Sequence, residues 1–293
     1  MADPESGREG CRECCSQEFK VSNFLSGYDR PHHFVQFQCG KQIPYLVWRV
    51  IWALYHVVWI ILTGVFSWQW AGPDHNQQIK WFIYLTDWCY FMLTLSTLID
   101  LTCVIYTRVN RKDICEALAF ANPWYFKFNW VVFNVANTCS ITVSMLYWGL
   151  LYSSSEEMTA VNIETHALNA VYVILNLFVT GIPVRVLHFW HTMVYALVYV
   201  LFSLFYTLGG GTNHVDKNYV YSVLDWKGST GYTVGISIAV TFVAMPLVHC
   251  VCYGIYRLRL VLCCCDDGRV IDSKEVELTY QDNPSYTADK DTN

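Results

Sequence analysis

The chain has 293 residues, of which 54% are hydrophobic and 15% charged, with a mean hydropathy of +0.27 and a formal net charge of −5. That apolarity excludes an ordinary soluble domain, and no basic block is present that would serve nucleic acid. Much of the acid lies in residues 266–293.

Residues 1–44 are polar and carry no apolar h-region, so the first apolar run is expected to act as the targeting signal, with insertion at the endoplasmic reticulum of a eukaryotic cell. Six runs follow that approach the ~20 residues a helix needs to cross the hydrocarbon core. They cover residues 45–68, 81–106, 128–151, 167–186, 193–208 and 233–256. Lipid offers the backbone no hydrogen-bond partners, so these runs must be helices rather than open sheet. The expectation is an all-α polytopic membrane protein with a bundle of six transmembrane helices over 45–256. A cytosolic N-terminal segment, 1–44, precedes it, and a disordered acidic tail, 257–293, follows it. Lys and Arg gather before the first run, after the second (Arg108, Arg111, Lys112, Lys127), after the fourth (Arg185) and after the sixth (Arg257, Arg259, Arg269). The intervening loops hold few, which places both termini in the cytosol.

Tryptophans and tyrosines crowd the ends of the runs as an interfacial belt, and Gly181 with Pro183 should end or kink the fourth. The stretch Gly209-Gly210-Gly211 lacks the Gly-Lys-Ser/Thr ending of a phosphate loop, and no cofactor is expected. Cytosolic cysteines stay reduced. Cys263, Cys264 and Cys265, directly after the last run, form an S-acylation candidate, the alternative being an inert interfacial cluster. Cys11 and Cys14 lack the second ligand pair a zinc site needs, while His188 and His191, one turn apart, suit either a metal pair or a plain interfacial position. In the tail, Asn283, Pro284 and Tyr286 of an NPxY pattern form a turn that could present the tyrosine to a cytosolic adaptor.

Polar residues at bilayer depth carry most of the functional information, because an Asp at mid-span costs roughly 2.5–3.5 kcal/mol. At 100° per residue, Thr86, Tyr90, Leu93, Thr97 and Asp100 form one stripe on the second span, with Asp87 beside it. Asn134, Asn137, Thr138 and Ser144 form another on the third, and His166, Asn169, Val173, Asn176 and Thr180 another on the fourth. All three should turn inward. Interhelical hydrogen bonding, worth ~0.6 kcal/mol per contact, would explain the Asn and Thr residues alone. His166 adds chemistry, since it shares a leaflet with Thr86, and an imidazole can accept the proton that makes a hydroxyl nucleophilic. Thr86 as nucleophile, His166 as base and Asn169 as orienting or oxyanion group form the candidate catalytic set.

The segment Lys80-Trp81-Phe82-Ile83-Tyr84-Leu85-Thr86 resembles the second-helix segment of the androgen-induced family of membrane hydrolases. That resemblance implies cleavage of fatty acid esters of hydroxy fatty acids by a threonine, carried over to Thr86, with a histidine carried over to His166. A wider resemblance, over residues 20–265, is to the rolling stone family of animal membrane proteins. It is carried by residues 81–100, 166–188 and 209–228, including Tyr221-Ser222-Val223-Leu224-Asp225-Trp226-Lys227. It implies a plasma-membrane location, with the endoplasmic reticulum as the alternative, and a developmental role, since the founding member is associated with myoblast fusion. The expected function is therefore an intramembrane lipid-ester hydrolase, or else a non-catalytic surface protein in cell–cell adhesion or fusion. Expected partners are the bilayer, a lipid-ester substrate and an adaptor on the tail.

Overall fold

The computed structural model describes residues 18–67, 75–152 and 159–262, so Cys263, Cys264, Cys265, Asn283, Pro284 and Tyr286 lie outside the described residues. Among the described residues, these longer helices build the bundle. They are α1 (Gln42–Ser67), α2 (Leu85–Asn110), α3 (Trp124–Leu146), α4 (Asn169–Val179), α5 (Phe189–Leu208), α6 (Thr230–Ala239) and α7 (Met245–Leu262). Among the described residues, the five stretches Gln42–Val65, Leu85–Asn110, Trp124–Leu151, Val186–Leu208 and Thr230–Leu262 are helices long and apolar enough to cross a membrane.

Three π-helical turns extend or join these rods: Tyr147–Leu151 after α3, Glu164–Leu168 before α4, and Val240–Ala244 between α6 and α7. A π turn inserts a residue into the helical repeat and re-aims the side chains around it, and such turns recur at functional sites.

α3 is the hub. Some 78% of its apolar window is buried, against 22% for α1, which therefore lies at the edge and shows Ile51, Leu54, Val58 and Ile61 outward. Trp130, Phe126 and Phe133 of α3 pack with Leu93 of α2 and with Tyr172 and Val173 of α4 in the largest core cluster. The inward stripes expected from the sequence are inside except at one end: Tyr90, Leu93, Thr97 and Asp100, then Asn134, Asn137, Thr138 and Ser144, then His166, Asn169, Val173, Asn176 and Thr180 are buried, whereas Thr86 is half-buried.

The fourth span departs from its expected bounds of 167–186. Helix begins at Ala160, runs through the π turn and stops at Val179. Pro183 disfavours the helical region for Ile182, and Thr180 turns extended to pair with Phe37. The Gly181 amide donates to Gln36 O at 2.9 Å, and the Gln38 amide to Val179 O at 3.0 Å. A Cβ on Gly181 would stand 2.5 Å from His33 O, so only glycine permits this approach. Arg259 of α7, fully buried, donates to Leu177 O at 2.9 Å and Ile182 O at 3.1 Å, satisfying carbonyls that the helix end leaves open. The second span likewise starts later than expected, at Leu85, after a 3-10 run His75–Ile83.

Candidate functional site

Two features stand out inside the bundle. The first is a narrow apolar cleft of about 80 Å³. Its walls are Val143 and Tyr147 at the end of α3, Tyr199 of α5, Val223 of the loop after α5, and Ser237 and Thr241 around the third π turn. Leu150, 47% exposed, forms an edge on the outside of the bundle.

Thr86 lies in that wall. It occupies the first turn of α2, where backbone N–H groups have no partner within the helix and the macrodipole favours negative charge. Its amide donates to the Tyr221 hydroxyl at 3.5 Å, and that hydroxyl also meets the Thr86 side chain. Tyr221 thus stands beside the hydroxyl proposed for chemistry. Sequence reasoning saw only the stretch around it, Tyr221 to Lys227, and assigned the tyrosine no role.

The loop holding Tyr221 is tied down at several points. Lys80 Nζ donates to Thr212 Oγ1 at 2.8 Å and to Asn213 O at 2.7 Å, and it pairs with Asp216 at 3.1 Å. The Tyr84 hydroxyl meets His214 Nδ1 at 2.5 Å, and burial, then the nearby Lys80 charge, hold His214 below the ordinary histidine range. Trp226 Nε1 donates to Ser203 Oγ at 3.1 Å. Asp225 Oδ1 accepts from the amides of Gly228 at 2.7 Å and Lys227 at 3.2 Å, so this carboxylate organises the turn into α6.

His166 sits one ring behind the cleft. Its imidazole stacks flat on Tyr147, with centroids 3.6 Å apart and planes at 3°, and Nδ1 is buried with no hydrogen-bond partner. Asn169 Nδ2 turns back to Thr165 O at 3.0 Å on its own helix, and its Oδ1 is buried and unpartnered. Among the described residues, Thr86 and His166 share no hydrogen bond: Thr86 goes with Tyr221, His166 with Tyr147.

The second feature is a titratable seam between α1, α2 and α4 that the sequence reading did not assemble. Glu164, 1% exposed, accepts from Tyr55 at 2.5 Å and from Tyr90 at 3.2 Å. His56 is fully buried, with the Tyr172 ring 4.6 Å away and the Trp52 ring 5.7 Å away. Further along, Arg49 and Asp100, 0% and 2% exposed, form an ion pair at 3.0 Å. Arg49 also donates to Asn176 Oδ1 at 3.0 Å, to Thr180 Oγ1 at 3.1 Å and to Tyr45, while Asn129 Nδ2 donates to Asp100 Oδ1 at 2.7 Å. Four helices therefore meet on one buried charge pair. Arg49 was visible as a cation inside the first apolar run, a rare position that by itself calls for a buried partner.

His188 and His191 are both buried, with rings 4.8 Å apart. His188 Nδ1 lies 3.1 Å from Asn134 Nδ2. Nearby, His249 has Thr138 Oγ1 3.2 Å from Nδ1, and Arg185 O 2.9 Å from Nε2. Among the described residues no group of three or more His, Cys, Asp or Glu side chains is placed to hold a metal ion.

Fold and site together define a multi-pass, all-helical membrane protein with charged and hydroxyl groups gathered in its interior. The chain belongs to the rolling stone family: the family model described as Protein rolling stone matches residues 9–267. Protein rolling stone of Drosophila melanogaster is 30% identical over 261 residues, covering 83% of this chain and 89% of the relative. No solved structure matches.

Proposed function

We propose that this protein acts on acyl lipids from within the membrane, as an ester hydrolase with Thr86 as nucleophile. The observation that carries the reading is the position of Thr86, at a helix N-terminus and in the wall of an apolar cleft. An acyl chain in the cleft brings its ester carbonyl to the Thr86 hydroxyl. The oxygen attacks the carbonyl carbon and its proton passes to His166. The leaving alcohol takes that proton, and water then cleaves the acyl-threonine. The Tyr221 hydroxyl, beside the Thr86 side chain, supplies a donor where the oxyanion forms. Because Tyr147 stands between His166 and the cleft, the mechanism requires its ring to swing out of the stack. The resemblance to androgen-induced hydrolases supports the roles of Thr86 and His166.

The test is labelling by a fluorophosphonate probe in membranes holding the full chain. Labelling should vanish in Thr86→Ala and His166→Ala at unchanged protein level and rise in Tyr147→Ala. Labelling that persists in Thr86→Ala ends this reading. A second reading, a non-catalytic plasma-membrane protein in cell–cell adhesion or fusion, is favoured by the missing hydrogen bond between Thr86 and His166. It is supported if no labelling occurs and the Thr86→Ala/His166→Ala double variant keeps full activity in a cell-fusion assay.

A further inference from the structure

At the other end of α3 from the cleft, a polar depression of about 500 Å³ opens on the surface. Tyr28 and Asp29 of the N-terminal segment, Phe120 and Asn122 of the loop before α3, Lys127 of α3 and Arg185 after α4 line it. Its depth relative to the bilayer is legible from its rim. Trp124 and Phe128, on the same helical turn as Lys127, are 76% and 52% exposed, and Phe120 is 60% exposed. An exposed indole beside a lysine at a helix end is the signature of the headgroup layer. A polar hollow there meets lipid headgroups before it meets solutes.

The lining of the hollow carries both signs of charge. Lys127 is exposed and makes no ion pair among the described residues. Arg185 is held in place, one guanidinium nitrogen donating to Leu25 O at 2.9 Å while the group lies 4.9 Å over the Trp130 ring and 6.0 Å from the Tyr28 ring. These two cations suit a phosphate. The same lining holds acceptors: the exposed carboxylate of Asp29, and Asn122, 6% exposed, whose Nδ2 reaches Ser26 O at 3.4 Å and whose Oδ1 is buried with no hydrogen-bond partner among the described residues. A buried acceptor left unpaired costs about 1–3 kcal/mol, so an orphan lining a hollow marks where a donor belongs.

We infer that this depression binds the headgroup of an aminophospholipid, its phosphate on Lys127 and Arg185 and its primary ammonium on Asp29 and the Asn122 carbonyl. The chemistry selects against relatives of similar size. Phosphatidylcholine has no N–H to donate, and phosphatidylglycerol has no ammonium for Asp29. The site is independent of the hydrolase reading, since it shares no residue with the cleft.

The full chain, reconstituted in phosphatidylcholine nanodiscs holding equal minor amounts of phosphatidylethanolamine, phosphatidylserine and phosphatidylglycerol, is extracted and its retained lipid read by native mass spectrometry. Retention of the two amine lipids should exceed that of the others by about tenfold, the equivalent of one charge-assisted contact. That preference should collapse in Asp29→Asn, while Lys127→Ala should lower the retention of all four lipids; both positions are exposed, and the thermal midpoint of each variant is expected to stay unchanged. Equal retention of phosphatidylglycerol or phosphatidylcholine, an unaltered preference in Asp29→Asn, or unaltered lipid retention in Lys127→Ala would overturn the assignment. Chain-free glycerophosphoethanolamine binding as tightly as the lipid would also overturn it, since the ligand would then come from water.

Discussion

Exchanging Arg49 and Asp100, singly and together, tests whether the buried pair organises the bundle. The two side chains meet at 3.0 Å with essentially no exposure. Arg49→Met leaves the Asp100 carboxylate with a single donor, Asn129, in an apolar interior. Asp100→Leu leaves a guanidinium with neutral acceptors only, those of Tyr45, Tyr172, Asn176 and Thr180. Removing one partner of a buried pair costs about 3–5 kcal/mol, because the other charge remains without compensation. Replacing both with apolar groups of similar volume removes the desolvation as well, so the double variant should lose far less than the sum. A coupling near 3 kcal/mol is expected, roughly a hundredfold in the unfolding constant. Neutral interhelical contacts couple by only ~0.6 kcal/mol. Tryptophan fluorescence during SDS titration of the protein in mixed micelles measures all four corners of the cycle. A coupling at or below the neutral-contact value would refute the reasoning, and the pair would then be an incidental contact.

Other outcomes follow from single contacts. Gly181→Ala, whose new Cβ would stand 2.5 Å from His33 O, should lower stability by about 1–3 kcal/mol, seen as a reduced thermal midpoint, while an unchanged midpoint would mean the 36–38 and 180–181 segments can separate freely. Glu164→Gln should destabilise by a similar ~1–3 kcal/mol, since the amide can accept from only one of the two hydroxyls of Tyr55 and Tyr90; equal midpoints would show that the carboxylate is not required. His33, before α1, is lowered to about 3 by burial first and by the neighbouring charges of His32 and Arg30 second. Its folded pKa is depressed, so the unfolded chain binds the proton first. Stability from this group is full above its unfolded pKa near 6.5 and falls as the pH drops from there toward 3. Thermal melts across that window should show the decline, and His33→Gln should flatten it.

Periodicity made the inward stripes of α2, α3 and α4 legible, because a fixed rotation per residue places Tyr90, Asp100, Asn137 and Asn176 without knowledge of any partner. Partners are another matter. Asp100 was visible as a costly intramembrane acid, but its contact with Arg49 depends on how α1 lies against α2, which no spacing within one helix encodes. The same holds for Glu164, which falls between the expected runs 128–151 and 167–186 and is carried inward by a π turn. The fourth span was read too far, to 186, because hydropathy continues through Ile182 and Val184, both buried, while the backbone there is already extended against residues 36–38. For the catalytic set, composition and leaflet could bring Thr86 and His166 near one another. They could not foresee the Tyr147 ring between the imidazole and the cleft, nor Tyr221 arriving from a loop more than a hundred residues away.

The position of Arg49 also bears on how the chain is made. Synthesis delivers α1 to the translocon before the carboxylate of Asp100 exists, and an arginine alone in hydrocarbon is poorly tolerated. Released early, α1 would be drawn back toward the aqueous side by its own guanidinium. Productive biogenesis therefore favours holding the first helix at the lateral gate until the second emerges, so that both slip into the lipid as a neutralised hairpin.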